Sequence, residues 1–369
     1  MRLVYLTHSL ESCWNHGNAH FLRGVLRALI AAGHQATAIE PTEPWSRTNL
    51  LADAGPGALD GWRAHYPTLT SLRSDAPETL LDGVDVVMVH EWTDPATVAR
   101  LGALRRAGAP WLLLFHDTHH RAVSEPAAMQ AFDLSGYDAV LAFGETLAAV
   151  YRGWGWAGRV FVWHEAADVA LFHPPTSPMP RAGAVWIGNW GDGERTAELE
   201  AFLLAPLHRA GIPLDIHGVR YPAEARAMLD RYDARYHGWL PNHAAPAAFA
   251  QHAFTVHVPR RFYVTHLPGI PTIRVFEALA CGIPLISAPW NDAEGLFTPG
   301  EDFLVAEDGA AVERLARVLV NEPAFAAAVA ARGLATVLAR HTCGQRADEL
   351  MAIVGGLCAH PSRTPQAAQ

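Results

Sequence analysis

Short, wholly apolar runs punctuate the chain, separated by helix-length segments of mixed polarity. Leu3 to Leu6 is the first such run. Phe21, Leu22, Val25, Leu26, Leu29 and Ile30 then recur at helical spacing, Gly33 marks the stop, and Ala36 to Ile39 resumes an extended pattern. Further strands are predicted at Val84 to Val89, Trp111 to Phe115, Ala139 to Phe143 and Val160 to Trp163, with a helix over Pro95 to Ala107. Strands apolar on both faces and alternating with helices predict a parallel sheet covered on each side.

The stretch from Leu171 to Ala184 holds Pro174, Pro175, Pro178 and Pro180 and can continue neither a helix nor a central strand. A linker and hinge are therefore expected there. A second alternation follows, with strands at Ala184 to Gly188, Leu214 to Gly218, Ala253 to Val258, Ile283 to Ser287 and Phe303 to Val305. Val312 to Leu350 reads as helix in pieces, and the residues beyond as a tail frayed from His360 onward; Glu43 to Thr79 shows no clear period. The expectation is an α/β chain of two doubly wound, Rossmann-like domains facing across a cleft, over residues 1–175 and 176–350, with a tail at 351–369.

Length supports that division, since 369 residues suffice for two cores. Composition removes several kinds of chemistry. All 28 basic residues are arginine, so no Schiff-base lysine, pyridoxal-phosphate anchor or P-loop lysine exists. The formal charge is −9 with no dense basic run, which argues against a nucleic-acid partner. Cys13, Cys281, Cys343 and Cys358 form no CxxC pair, so a reducing cytoplasm is the expected compartment. The first apolar run is too short for a signal peptide and none reaches the length of a membrane span, leaving peripheral membrane contact open.

Ligands of doubly wound sheets bind beyond the carboxyl ends of strands, so the loops there are the candidate sites. Thr7 to Asn18 ends at a helix start, where Asn15, Gly17 and Asn18 could contact a hydroxyl or anion, or Asn15 or Asn18 could simply cap the helix. His116, Asp117, Thr118, His119 and His120 could ligate zinc, but no companion cluster exists, and a loop that hydrogen-bonds hydroxyls or shuttles a proton is the preferred reading. Gly188 to Arg195 offers glycines for close approach to a phosphate and an arginine for charge. The stretch Pro268 to Ile286 reads as a loop, a helix opening near Pro271 and Thr272, a stop at Gly282 and a buried strand. Its helix start would present free N–H groups to a pyrophosphate, with Arg274 adding positive charge. Glu277 lies among Val275, Phe276 and Leu279, where a carboxylate needs a partner such as ribose hydroxyls.

Arg274-Val275-Phe276-Glu277-Ala278-Leu279-Ala280-Cys281-Gly282-Ile283-Pro284-Leu285-Ile286 resembles the donor-binding helix of family 4-like glycosyltransferases of the GT-B fold. Val185 to Asn189 with Arg195, Leu214 to Gly218, Tyr236 to Pro241 and Leu296 to Leu304 are similar, in order and spacing, to the spore-maturation-protein-like (CgeB-type) glycosyltransferases. The resemblance covers roughly Ala184 to Arg346, and the N-terminal half only in general plan. It implies a nucleotide-diphosphate sugar (UDP-, GDP- or dTDP-) as donor substrate, no cofactor, and transfer of a hexose-type sugar in bacterial glycan biosynthesis. The acceptor class, whether glycan, lipid-linked, small-molecule or protein, stays open.

By the same resemblance the base would rest near His217, Gly218, His237, Gly238, Trp239 and Leu240. The ribose would rest on Glu277, and the diphosphate on Gly188, Asn189 and the Thr272-Ile273-Arg274 helix start. Two departures stand out: the glutamate usual eight positions before the helix glutamate is Gly269, and no lysine is present for the diphosphate, which leaves Arg274, Arg260, Arg261 or Arg195. Charge neutralisation by arginine and helix N–H groups requires no divalent metal. A general base would come from His16, His116, Asp117 or His119. Alternative readings are a nucleotide-sugar epimerase, a non-catalytic nucleotide-sugar-binding protein and a metalloenzyme built on 116–120.

Overall fold

The computed structural model describes residues 1–155, 159–177, 179–191 and 193–359. Pro178 of the expected hinge, Asp192 of the glycine-rich loop and the expected frayed segment 360–369 lie outside the described residues. The N-terminal sheet contains β1 (Arg2–Leu6), β2 (Gln35–Glu40), β3 (Thr70–Arg73), β4 (Val86–His90), β5 (Leu112–Asp117), β6 (Ala139–Ala142) and β7 (Val160–Val162). The second sheet contains β8 (Ala184–Ile187), β9 (Leu214–His217), β10 (Arg235–Tyr236), β11 (Phe254–His257), β12 (Leu285–Ser287) and β13 (Leu304–Val305).

Their orders are β3-β2-β1-β4-β5-β6-β7 and β10-β9-β8-β11-β12-β13, and every pairing is parallel. In each sheet the first strand of the unit sits inside, so the order reverses between β1 and β4 and again between β8 and β11. Loops on either side of such a reversal diverge and leave a crevice at the strand ends. The fully buried β4 and β6 are the apolar runs read from sequence; β3 and β10, short edge strands with mostly exposed residues, were not foreseen.

One continuous apolar core includes Leu3, Tyr5 and Phe21 of the first unit and Ile273, Phe276 and Leu279 of the second. Separate clusters cover the outer faces of the two sheets. The chain returns to the first unit at its end. Ala167 and Thr342 form a parallel bridge, and the helix Cys343–Ala359 packs on the helix Ala19–Ala31. A Cβ on Gly24 would stand 2.5 Å from Cys343 Sγ, so the approach needs glycine there. The segment expected as a tail from 351 thus begins inside a helix that buries Val354 and Leu357.

Among the described residues no single helix is long and apolar enough to cross a membrane. The helices Gly309–Asn321 and Pro323–Arg340 match a span only as a pair, and they are bent by 105°.

Candidate active site at the two switch points

The sequence-derived donor residues gather at the carboxyl ends of β8, β9 and β11 and the helix Ile273–Ala280. Gly188 and Gly218 lie back to back: Gly218 has φ +155°, and a Cβ there would stand 2.0 Å from the Gly188 carbonyl oxygen. Gly218 N–H donates to the Gly238 carbonyl at 2.8 Å, so main chain, not side chain, forms this part of the wall. Asn189 accepts from Val219 N–H at 2.9 Å and donates through Nδ2 to Asn15 of the first unit at 2.7 Å. Arg195 donates to the carbonyls of Val258 (2.7 Å) and Asn189 (3.0 Å), bracing the loops after β11 and β8.

His217 stacks on His237 with centroids 4.8 Å apart, and burial with the neighbouring His237 charge lowers it to about 4. His237 and His252 donate to Asp215 at 2.6 and 2.9 Å, beside a two-pronged contact from Arg235. Burial pushes the Asp215 carboxyl up, but these donors outweigh it and hold the group well below the usual range. Trp239 packs with Trp14, Leu50, Leu59 and Val219, and Leu240 against the shared core, so the expected base-binding segment is partly spent on joining the two units.

The helix Ile273–Ala280 begins at Thr272, whose hydroxyl lies 3.3 Å from His257 Nε2 and gives no cap bond; Val275 N–H donates to the Thr272 carbonyl at 3.0 Å, and the N–H groups of Ile273 and Arg274 precede the first intrahelical bond. Glu277 is fully buried and already engaged: Oε2 pairs with Arg274, and Oε1 accepts from His20 Nδ1 at 2.8 Å. Asp168 N–H donates to His20 Nε2 at 2.7 Å, so the imidazole carries its proton on Nδ1. His20 also stacks on Phe172 at 3.8 Å. Burial pushes the Glu277 carboxyl up, but Arg274 and the His20 bond prevail and hold it below its ordinary value. His20 escaped the sequence reading because a histidine in the stripe of Phe21, Leu22 and Val25 carries no sign of a partner 257 positions away. Close by, Glu165 is buried with Oε1 unpartnered, and burial followed by the Glu277 charge raises it well above the carboxylate range.

The first unit meets this wall with its own switch point. Gly17 lies against Ile273, a Cβ there falling 3.3 Å from the isoleucine methyl. Asn18 occupies the N-cap position of its helix without a cap bond and instead donates to Thr118. Asn15 is at φ +51°, a left-handed conformation asparagine tolerates. His16, His8 and His90 form a cluster, with centroids 4.0 Å apart for His8 and His16 and 5.7 Å for His8 and His90. His119 adjoins Trp92 at 5.4 Å, and His120 meets Arg260 of the second unit at 2.9 Å.

Two candidate bases are corrected by strand alternation. His116 and Asp117, successive residues of β5, point to opposite faces of the sheet and both are fully buried. His116 is bound to Tyr5 Oη at 2.5 Å and packed on Trp163, and burial lowers it to about 3. Asp117 accepts from Tyr151 Oη at 2.5 Å and from His119 N–H at 2.9 Å, and burial raises it to about 6. Both are engaged by these buried partners. The same divergence undoes a metal site at 116–120: among the described residues no three His, Cys, Asp or Glu side chains converge as a metal cage.

Residues 195–352, within the second unit, match a family model described as glycosyl transferase-like. Solved structures resemble the whole chain. Sucrose-phosphate synthase from Thermosynechococcus elongatus shares 17% identity at a TM-score of 0.65, covering 97% of this chain and 100% of that one. An alpha-glucosyltransferase in complex with UDP shares 10% at 0.70, covering 96% and 99%. Anabaena HepE in complex with UDP and glucose shares 12% at 0.67, covering 97% and 100%. A search of curated proteins gives no sequence match. The chain has the GT-B fold of the glycosyltransferases: two parallel-sheet α/β units with their strand ends turned to a common crevice.

Proposed function

We propose that the protein transfers a sugar from a nucleoside-diphosphate sugar, UDP-activated in the first instance, to an acceptor hydroxyl held by the N-terminal unit. The observation that carries this is the helix start at Thr272-Ile273-Arg274 opening onto the reversal between β8 and β11, with Arg260 and Arg274 as the nearby cations. The two structural neighbours in complex with UDP lend support to the choice of base.

The diphosphate would lie at that helix start and against the Gly188-Asn189 main chain, where N–H groups and arginines favour negative charge. The base would lie by His217, Gly218 and His237 to Leu240. The ribose would use the remaining lone pairs of Glu277, for which the His20 contact must loosen as the two units part. In transfer, the acceptor oxygen bonds to the anomeric carbon, the bond from that carbon to the diphosphate oxygen breaks, and its electron pair leaves with the nucleoside diphosphate. Arg274, Arg260 and the helix N–H groups stabilise the charge that develops there. The acceptor proton goes to His16, which burial beside His8 and Arg23 keeps neutral and so able to accept. Arginine and helix N–H groups supply the positive charge, so the reaction proceeds without a divalent ion.

The four unpaired cysteines are in keeping with a cytoplasmic place for the enzyme. Calorimetric titration of UDP tests the reading. Wild type should bind, and Arg274→Ala should bind about 10- to 100-fold more weakly, the worth of one charge-assisted hydrogen bond. No binding by wild type, or an unchanged constant in the variant, refutes the assignment.

A further inference from the structure

The histidine cluster at the reversal between β1 and β4 is built in a way the donor does not explain. Two imidazole nitrogens there lack partners, Nδ1 of His8 and Nδ1 of His119, while the His16 ring meets the main chain of Ser9 and Ser12. His16 is 6% exposed, so water does not serve its ring freely. Burial leaves all three rings uncharged at neutral pH, lowering His8 to about 4 and holding His16 and His119 well below the ordinary imidazole value. A neutral imidazole offers one donor and one acceptor, and a hydroxyl group offers the same pair. A phosphate or carboxylate could use only the N–H of each ring and would leave the acceptor nitrogen unmatched, next to the buried carboxyl of Glu91, which lies 3.0 Å from His90 Nδ1.

Beside the cluster stands Trp92, 45% exposed, its ring edge-on to His8 (6.2 Å) and His119 (5.4 Å). The Arg121 guanidinium lies 4.4 Å from the Trp92 ring centre and fixes its orientation. An exposed indole next to unpartnered hydroxyl-matching groups suits a ring with an apolar C–H face and a polar rim. The rings continue through His119 and His120 to Arg260, so a hydroxyl held by His16 and His8 lies on the path toward the proposed diphosphate site.

We infer that the acceptor is an uncharged saccharide ring, stacked on Trp92 and hydrogen-bonded to His8, His16 and His119. This rests on the transferase reading above. Its balance is the one already given: one acceptor hydroxyl forms the new C–O bond and its proton passes to His16.

The test has two separate readouts on the full chain. UDP calorimetry without acceptor decides the donor reading alone, and absence of UDP binding overturns the transferase reading and this inference with it. UDP release from UDP-glucose is then followed with methyl glycopyranosides, with glucuronic acid and glucose 6-phosphate as charged counterparts, and with glycerol as an acyclic control. Neutral pyranosides should stimulate release and quench tryptophan fluorescence. Trp92→Ala should raise their KM at least tenfold and abolish the quench, while Trp92→Phe restores most of the affinity. Preference for a charged sugar or glycerol, or a KM within twofold of wild type in Trp92→Ala, overturns the inference even where UDP binds normally.

Discussion

Replacing His20 by alanine removes one side chain that ties three parts of the molecule together. Its Nδ1–H donates to Glu277 of the second unit, its Nε2 accepts from Asp168 N–H in the connecting segment, and its ring stacks on Phe172. His20 and Glu277 are both fully buried, so no water replaces the lost contacts. Losing a hydrogen bond to a buried carboxylate costs about 1.5–3 kcal/mol, and leaving the Asp168 N–H without its acceptor adds about 1–3 kcal/mol. At about 2–4 °C per kcal/mol for domains of this size, the melting temperature should fall on the order of 10 °C. Arg274, still paired with Glu277, sets the lower end of the range. Differential scanning calorimetry of wild type, His20→Ala and His20→Asn measures it. Asparagine places an N–H near the Nδ1 position and should recover about half of the loss, because the acceptor for Asp168 is not restored. A fall under about 2 °C in His20→Ala would mean that Glu277 is held by Arg274 alone, and the argument for a three-way tie fails.

Gly218→Ala should be among the most damaging single-methyl changes, since its Cβ would stand 2.0 Å from the Gly188 oxygen; loss of both UDP binding and several degrees of melting temperature is expected, and a variant that binds UDP normally contradicts the back-to-back packing. Acid should destabilise the fold: burial lowers His8 and His341 to about 4 and His116 and His257 to about 3, so between these values and the ordinary 6.5 the unfolded chain binds more protons and stability falls as pH falls. Asp117, raised to about 6, and Glu91 and Glu165, also raised by burial, act with the opposite sign, but the histidines outnumber them. Urea midpoints at about pH 7.5 and about pH 5 should therefore differ in favour of the higher pH, and equal midpoints would count against the buried-neutral histidines.

What could be read from sequence followed burial. The central strands β4 and β6 are apolar on both faces and announce themselves, while β3 and β10 are edge strands whose exposed, polar residues leave no periodic trace. The Arg274 to Ile286 stretch was legible because helix start, cation, buried carboxylate and stop lie within one local segment. His116 to His120 was misleading for the converse reason: the residues are adjacent in sequence, but β5 sends His116 and Asp117 to opposite faces. His20, Glu165 and Trp92 owe their surroundings to long-range contacts, which no local pattern encodes. Residues 351–359 read as tail because Gly355 and Gly356 weaken the helical signal, yet Val354 and Leu357 have a partner helix at the other end of the chain.

The central claim, that the reversal between β8 and β11 holds the donor, is tested most directly by a crystal structure of the protein soaked with UDP. The account predicts the diphosphate at the Thr272 to Arg274 helix start beside Gly188 and Asn189, with the ribose on Glu277 and the base by His217 and His237. Density for UDP elsewhere on the chain, with that helix start left to solvent, would contradict it.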